Sequence, residues 1–241
     1  MELHGTISLF LKLDAIADSR DKFLPDPEKD SVKCISYCLW EYGAESVDSS
    51  LYLYSGVLIL STHSREEFFA NDVQVHFFST EIMMIELFAN MIRRWDPDIL
   101  VGYELHSSSF GYMIERYRTL CQQDLSFLLS RRVNLPRRDH PARDQRQNAW
   151  GLKQSTAIDI SGRVVLNLWR LMRSELSLTS YSFESIAFHV LHVRVPKFSN
   201  RLLNHWFKSG HQQWRTLKYY MERTRMSLHI LDEINFIGRT R

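Results

Sequence analysis

Between residues 73 and 120 the hydrophobic period switches back and forth between two and about 3.6, and this alternation limits the fold more than any other feature of the chain. Val73 to Ser79 reads as a strand. Ser79 or Thr80 then caps a helix with Glu81 in its first turn, complementing the dipole, and with Ile82, Ile85, Phe88, Ile92 and Trp95 at spacings of three and four. Asp96-Pro97 makes a turn, a short buried strand runs from Ile99 into Gly102-Tyr103, and a further helix begins near Ser108 and runs toward Leu120. A strand, helix, strand unit belongs in a sheet whose faces carry helices. Ligand then meets the sheet at the open carboxyl end of the strand, beside Gly102.

Upstream of this unit the chain is a run of strands. Thr6 to Ile16 alternates with a period near two, Val32 to Tyr42 and Leu51 to Thr62 follow, and the prolines of Pro25-Asp26-Pro27-Glu28-Lys29-Asp30 keep the intervening stretch out of helix. At 241 residues and 44% hydrophobic, the chain can bury one sizeable core, so one large domain is expected. A net charge of +2 lacks the footprint of a stand-alone nucleic-acid binder, so any DNA contact must be local. Cys34, Cys38 and Cys121 have no CxxC spacing, which argues against a disulfide framework and a zinc site and fits a reducing compartment. No run approaches the roughly 18 apolar residues of a bilayer span, and no secretory signal opens the chain, so a soluble intracellular protein is expected.

The motifs are more specific. Asp96-Pro97-Asp98-Ile99-Leu100-Val101-Gly102-Tyr103 resembles the second exonuclease motif of the family B DNA polymerases, which continues Asn-x-x-x-Phe-Asp-x-Pro-Tyr. Position by position, Glu104 stands at the Asn, Ser109 at the metal-binding Asp, Gly111 at the Pro and Tyr112 at the Tyr. With Pro25 to Asp30 as anchor, the first motif, Asp-Ile-Glu, falls on Asp14-Ala15-Ile16. Ser161-Gly162-Arg163 through Asn167 resembles the family's Gly-Arg-x-x-x-Asp strand, with Asn167 at the Asp, and Leu178 to Glu184 matches Leu-x-Ser-Tyr-Ser/Thr-Leu-Asn, with Ser182 as N-cap of a helix. The third motif, Tyr-x-x-x-Asp, aligned through Ile230-Leu231-Asp232 on a last helix from about His211 to Ile234, puts Tyr219 at the tyrosine and Arg223 at the aspartate. These two are i, i+4 and share a helix face.

The resemblance implies an α/β, ribonuclease H-like (DnaQ-like 3′-5′ exonuclease) fold, a mixed central sheet flanked by helices, forming one exonuclease-like domain over 1–241. It also implies that the site is degenerate. Two-metal hydrolysis needs divalent ions roughly 3.5–4 Å apart, and hard Mg²⁺ needs several oxygen ligands with carboxylate charge. The family supplies four carboxylates; the matching residues here are Asp14, Ile16, Ser109 and Arg223, whose formal charges sum to zero. One like charge near 4 Å costs about 4 kcal/mol at an effective dielectric near 20, so Arg223 would repel the ion. Glu222, one residue earlier, is turned about 100° away on the helix, and Glu104 with Asp14 offers at most a weak single-metal site.

Among family B enzymes the combination is similar to translesion members that lack proofreading. The implied partners are the remainder of the polymerase chain, which would continue past Arg241 into its palm, together with accessory subunits and DNA, in the nucleus and without a membrane. No cofactor is expected in this segment; the parent would carry Mg²⁺ in the palm and an iron–sulfur cluster toward its C-terminus. Two other readings stand: an active metal-dependent exonuclease using Asp14 and Glu104, and a generic protein-interaction module. Residues 123–155 read as an exposed basic loop, where Arg131, Arg132, Arg137, Arg138, Arg143 and Arg146 are either phosphate contacts or a solvated insertion; Asp139 and Asp144 dilute the charge and no aromatics are interleaved. His189, His192 and His205 read as ordinary surface or interfacial residues.

Overall fold

A computed structural model of the protein describes residues 8–17, 25–42, 54–61, 73–131 and 158–240. Its strands are β1 (Ser8–Ala17), β2 (Val32–Tyr42), β3 (Tyr54–Leu60), β4 (Val73–Phe78), β5 (Ile99–Gly102) and β6 (Val164–Asn167). They form one sheet in the order β4-β3-β2-β1-β5-β6. Only β2 runs against its neighbours; the pairs β1–β5, β5–β6 and β3–β4 are parallel. The helices are α1 (Glu81–Trp95), α2 (Leu105–Ser108), α3 (Phe110–Cys121), α4 (Leu125–Leu129), α5 (Leu168–Glu175), α6 (Phe183–Leu191), α7 (Asn200–Lys208), α8 (Gln213–Glu233) and α9 (Phe236–Thr240).

The pleat divides the core. On β2, Ile35 and Tyr37 face one cluster, with Phe88 of α1 and Tyr112 and Met113 of α3. Cys38 and Trp40 face the other, with Phe183 of α6 and Leu228 of α8, while Cys34 meets Leu217 and Met221 farther along α8. In β5, Leu100 joins the first cluster and Val101 the second. A strand covered on both faces is apolar throughout rather than alternating, which is why four consecutive residues without a polar member form its core.

α1 is capped by Thr80, whose Oγ1 accepts from the Met83 amide at 3.4 Å, and it ends at Asp96 in the left-handed region (φ 50°). Its buried stripe is Met84, Ile85, Phe88, Ala89 and Ile92. Ile82, expected inside, is 36% exposed. The helix expected from near Ser108 toward Leu120 is α3; the four-residue α2 before it was not anticipated, and the stretch expected as loop from 123 contains α4, started by Asp124, whose Oδ1 accepts from the Ser126 amide at 3.0 Å. The short α5, α7 and α9 were not anticipated. Residues 132–157, and with them Arg132, Arg137, Arg138, Arg143 and Arg146, lie outside the described residues. Among the described residues, no helix is long and apolar enough to cross a membrane.

Two ion-pair knots hold the motif strands in place. Arg116 of α3 grips both oxygens of Glu81 at 3.0 Å and donates to the carbonyls of Pro27 and Glu28; Tyr112 donates to the Asp30 carbonyl at 2.6 Å. The Pro25 to Asp30 segment is thus tied to α1 and α3. At the other end of α1, Arg163, its side chain 1% exposed, donates to the Leu129 carbonyl at 2.8 Å and the Pro97 carbonyl and pairs with Asp96 at 2.9 Å. Arg131 adds contacts of 2.7 Å to both Asp96 and Asp98 and donates to the Asp96 and Gly162 carbonyls. Arg131, expected either to contact phosphate or to lie in a solvated insertion, has its guanidinium turned toward Asp96-Pro97-Asp98 in this fold.

Candidate functional site

The site grows from the end of β5. Gly102 has no room for a side chain, since a Cβ there would lie 2.6 Å from both Leu105 Cδ2 and Ser109 Oγ. The chain therefore folds back tightly through Tyr103 and Glu104, the N-cap position of α2, and reaches Ser109, which is fully buried. The Ser109 carbonyl accepts from the Met113 amide at 3.2 Å and starts α3. Ser109 is thus a small neutral residue packed under Gly102.

Tyr103 turns toward the second cluster. Its hydroxyl donates to the Tyr181 carbonyl at 2.8 Å and its ring meets Phe183 edge-on at 5.2 Å. Burial pushes its phenol well up, with the Arg223 charge opposing and the charges of Glu104 and Glu184 adding to the rise. The same set of residues thus surrounds it from three elements.

Arg223 projects from α8 into this group. Its Nη1 donates to Glu184 Oε1 at 2.9 Å and to the Tyr219 hydroxyl at 3.0 Å, and its guanidinium lies 4.2 Å from the centre of the Phe183 ring. A cation over a ring face within about 6 Å is attracted by the ring quadrupole. Both members of the Arg223–Glu184 pair are less than one-fifth exposed, so the attraction is poorly screened. Ser182 caps α6 by accepting from the Ser185 amide, and so places Phe183 and Glu184 in the first turn, where the helix dipole favours the glutamate.

β1 runs alongside. Asp14 pairs in register with Ser36 and Ile16 with Cys34. Ser36 Oγ is 2.9 Å from Oγ1 of Thr224, the residue after Arg223, and Cys34 packs under Leu217 and Met221. The backbone of β1 at 14 and 16 therefore lies one strand away from the line along which α8 crosses the sheet. Tyr219 and Arg223 meet on α8, with the backbone of β1 at 14 and 16 paired to the strand beneath it, whereas Tyr112 belongs to the opposite cluster and braces the Pro25 to Asp30 segment. Among the described residues no three His, Cys, Asp or Glu side chains are grouped as a metal would require.

Residues 9–186 match the family model for the DNA polymerase family B exonuclease domain. The chain belongs to the family B DNA polymerases. It is 34% identical over 239 residues to the DNA polymerase zeta catalytic subunit of Drosophila melanogaster, 33% over 258 residues to that of Homo sapiens, and 34% over 240 residues to that of Saccharomyces cerevisiae. These alignments take in 95%, 99% and 95% of the chain but 11%, 8% and 15% of the relatives' lengths. The chain thus spans about a tenth of the curated relatives it matches.

Sequence reasoning found Arg223 and Tyr219 but missed Glu184 and Phe183. The signal was present. Glu184 occupies the Asn of the Leu-x-Ser-Tyr-Ser/Thr-Leu-Asn segment, so an acid appears at one family position while a base replaces an acid at another; opposite charges gained at two motif positions are what a new ion pair leaves in a sequence.

Proposed function

We propose that this is a catalytically inactive 3′-5′ exonuclease-like domain of ribonuclease H-like fold, a structural, DNA-adjacent module of a translesion DNA polymerase resembling polymerase zeta. The fold assignment is supported by five neighbouring strands in the order β3-β2-β1-β5-β6 with β2 alone antiparallel. Loss of activity rests on one observation: the guanidinium of Arg223, held by Glu184, Tyr219 and Phe183, stands at the family's metal-binding aspartate. Water activation and leaving-group stabilisation both need metal-bound oxygens, and in this pocket the partly buried Glu184 carboxylate is instead paired with an internal cation.

The parent would be a nuclear DNA-directed DNA polymerase using Mg²⁺ in its palm, with an iron–sulfur cluster toward its C-terminus and accessory subunits on its surface. A domain that does not trim suits extension from distorted primer ends, because a trimming site would undo the product. A 5′-labelled single strand incubated with the protein and Mg²⁺ or Mn²⁺ is expected to keep its length on a denaturing gel. Robust 3′ trimming that Asp14→Ala abolishes would overturn this reading.

A further inference from the structure

The chain as a whole carries 28 acidic residues against 30 Lys and Arg, yet from Ser185 to Met221 there is no Asp or Glu, while six Lys or Arg and four His occur. This acid-free stretch folds as the end of α6, α7 and the start of α8. α7 and α8 form a hairpin whose inner side is apolar: Leu203 is buried, Phe207 packs with Leu217 and Met221 against Cys34, Val57 and Ile59, and Thr216 Oγ1 donates to the Leu203 carbonyl at 3.1 Å. The periodicity that buries those residues turns Arg201, His205 and Lys208, at i, i+4 and i+7, outward on α7, with Arg215 and Lys218 outward on α8. Glu222, bridged to Lys218 at 3.8 Å, is the nearest acid in sequence on α8.

Aromatic rings are set among these cations. Arg215 lies over both Trp206 (5.9 Å) and Trp214 (5.6 Å), Phe198 meets Trp206 edge-on at 5.0 Å and Tyr219 at 5.2 Å, and both indoles are half-buried. Rigid rings at the surface, fixed by neighbours and flanked by positive charge, are what an unpaired nucleobase stacks on while its backbone phosphates meet the cations. Acidic polypeptides match the charge but not the rings.

We propose that the outer face of the α7–α8 hairpin binds single-stranded nucleic acid, with Trp206 and Trp214 as stacking platforms and Arg201, Lys208 and Arg215 as phosphate contacts. The face adjoins the pocket at Arg223 through the Phe198–Tyr219 contact, but its stacking rings and cations are other residues, so it stands whether or not that pocket hydrolyses phosphodiesters. Its charge reaches its partner through counterion release, with a log–log salt slope of roughly 0.7 per phosphate neutralised on a single strand.

The test is fluorescence anisotropy of the 241-residue protein with a labelled oligothymidylate across a salt series, with intrinsic tryptophan emission followed in parallel. Expected are salt-dependent binding, quenching of tryptophan on binding, and, for R201Q/K208Q/R215Q with an unchanged circular dichroism spectrum, at least tenfold weaker binding and a slope smaller by about two. A W206L variant should lose affinity while keeping the slope; if it does not fold, quenching in the parent protein carries the stacking test. The proposal is overturned if the triple variant binds as the parent does, if R137Q/R138Q/R143Q/R146Q accounts for the whole loss instead, or if duplex DNA or polyglutamate competes as well as the single strand.

Discussion

A guanidinium largely buried beside a sheet, as that of Arg223 is, needs an anion of its own. Glu184 supplies it, and Tyr219 and Phe183 complete the surroundings. Removing one partner of such a pair leaves the other charge poorly solvated, whereas removing both does not. Arg223→Met and Glu184→Leu are therefore each expected to lower stability by about 1–3 kcal/mol, a value discounted for the partial exposure of both side chains. The double variant should lose less than the sum of the two. Urea unfolding of the four proteins measures the cycle, and strict additivity would mean that the two side chains do not act as a pair. Tyr103 and Arg223 could be picked out from the sequence; that they meet each other and Glu184 could not, since the three come from separate elements spread over 120 residues (103 to 223).

Among the elements, the junction of α1, β5 and β6 is the most tightly tied. Asp96 terminates α1 with positive φ and receives both Arg131 and Arg163. Partial burial pushes its carboxyl up, but the Arg131 hydrogen bond and the charges of Arg163 and Arg131 outweigh this and hold it below the usual carboxylate range. A carboxyl depressed in the folded state contributes stability that is complete above its unfolded value, near pH 4, and is lost as pH falls through the folded value. Asp96→Asn, which tolerates the left-handed backbone, should therefore cost stability at pH 7 and show a shallower acid limb below pH 4 in thermal melts. A parallel pair of acid limbs would deny Asp96 this role. The boundaries of β2, β5 and α1 were legible in the sequence because each is long or strongly patterned and has a turn or cap beside it. α4 and α7 were not, as helices of five and nine residues offer little more than two turns of pattern.

At the scale of the whole molecule, the proposed inactive domain should be indifferent to the metal. A ligand that binds only the folded state stabilises by about 2.7 kcal/mol at a hundred times its Kd. Scanning calorimetry with and without 10 mM (roughly, a large excess over protein) MgCl₂ is expected to give the same midpoint, and a rise of several degrees would reveal a site the residues do not suggest. The two faces of the sheet are sealed by separate helix sets, α1 and α3 on one side and α6 and α8 on the other.

The amino-acid sequence alone determined most of the local elements and the motif frame, because hydrophobic period, caps and prolines act over a few residues. Only the tertiary structure decided which residues meet. The Arg223–Glu184 pair, the clamp that Arg131 and Arg163 form on Asp96-Pro97-Asp98, and the gathering of an acid-free stretch into one aromatic and basic face all arise from strand order and helix packing, which bring together residues that no sequence spacing connects.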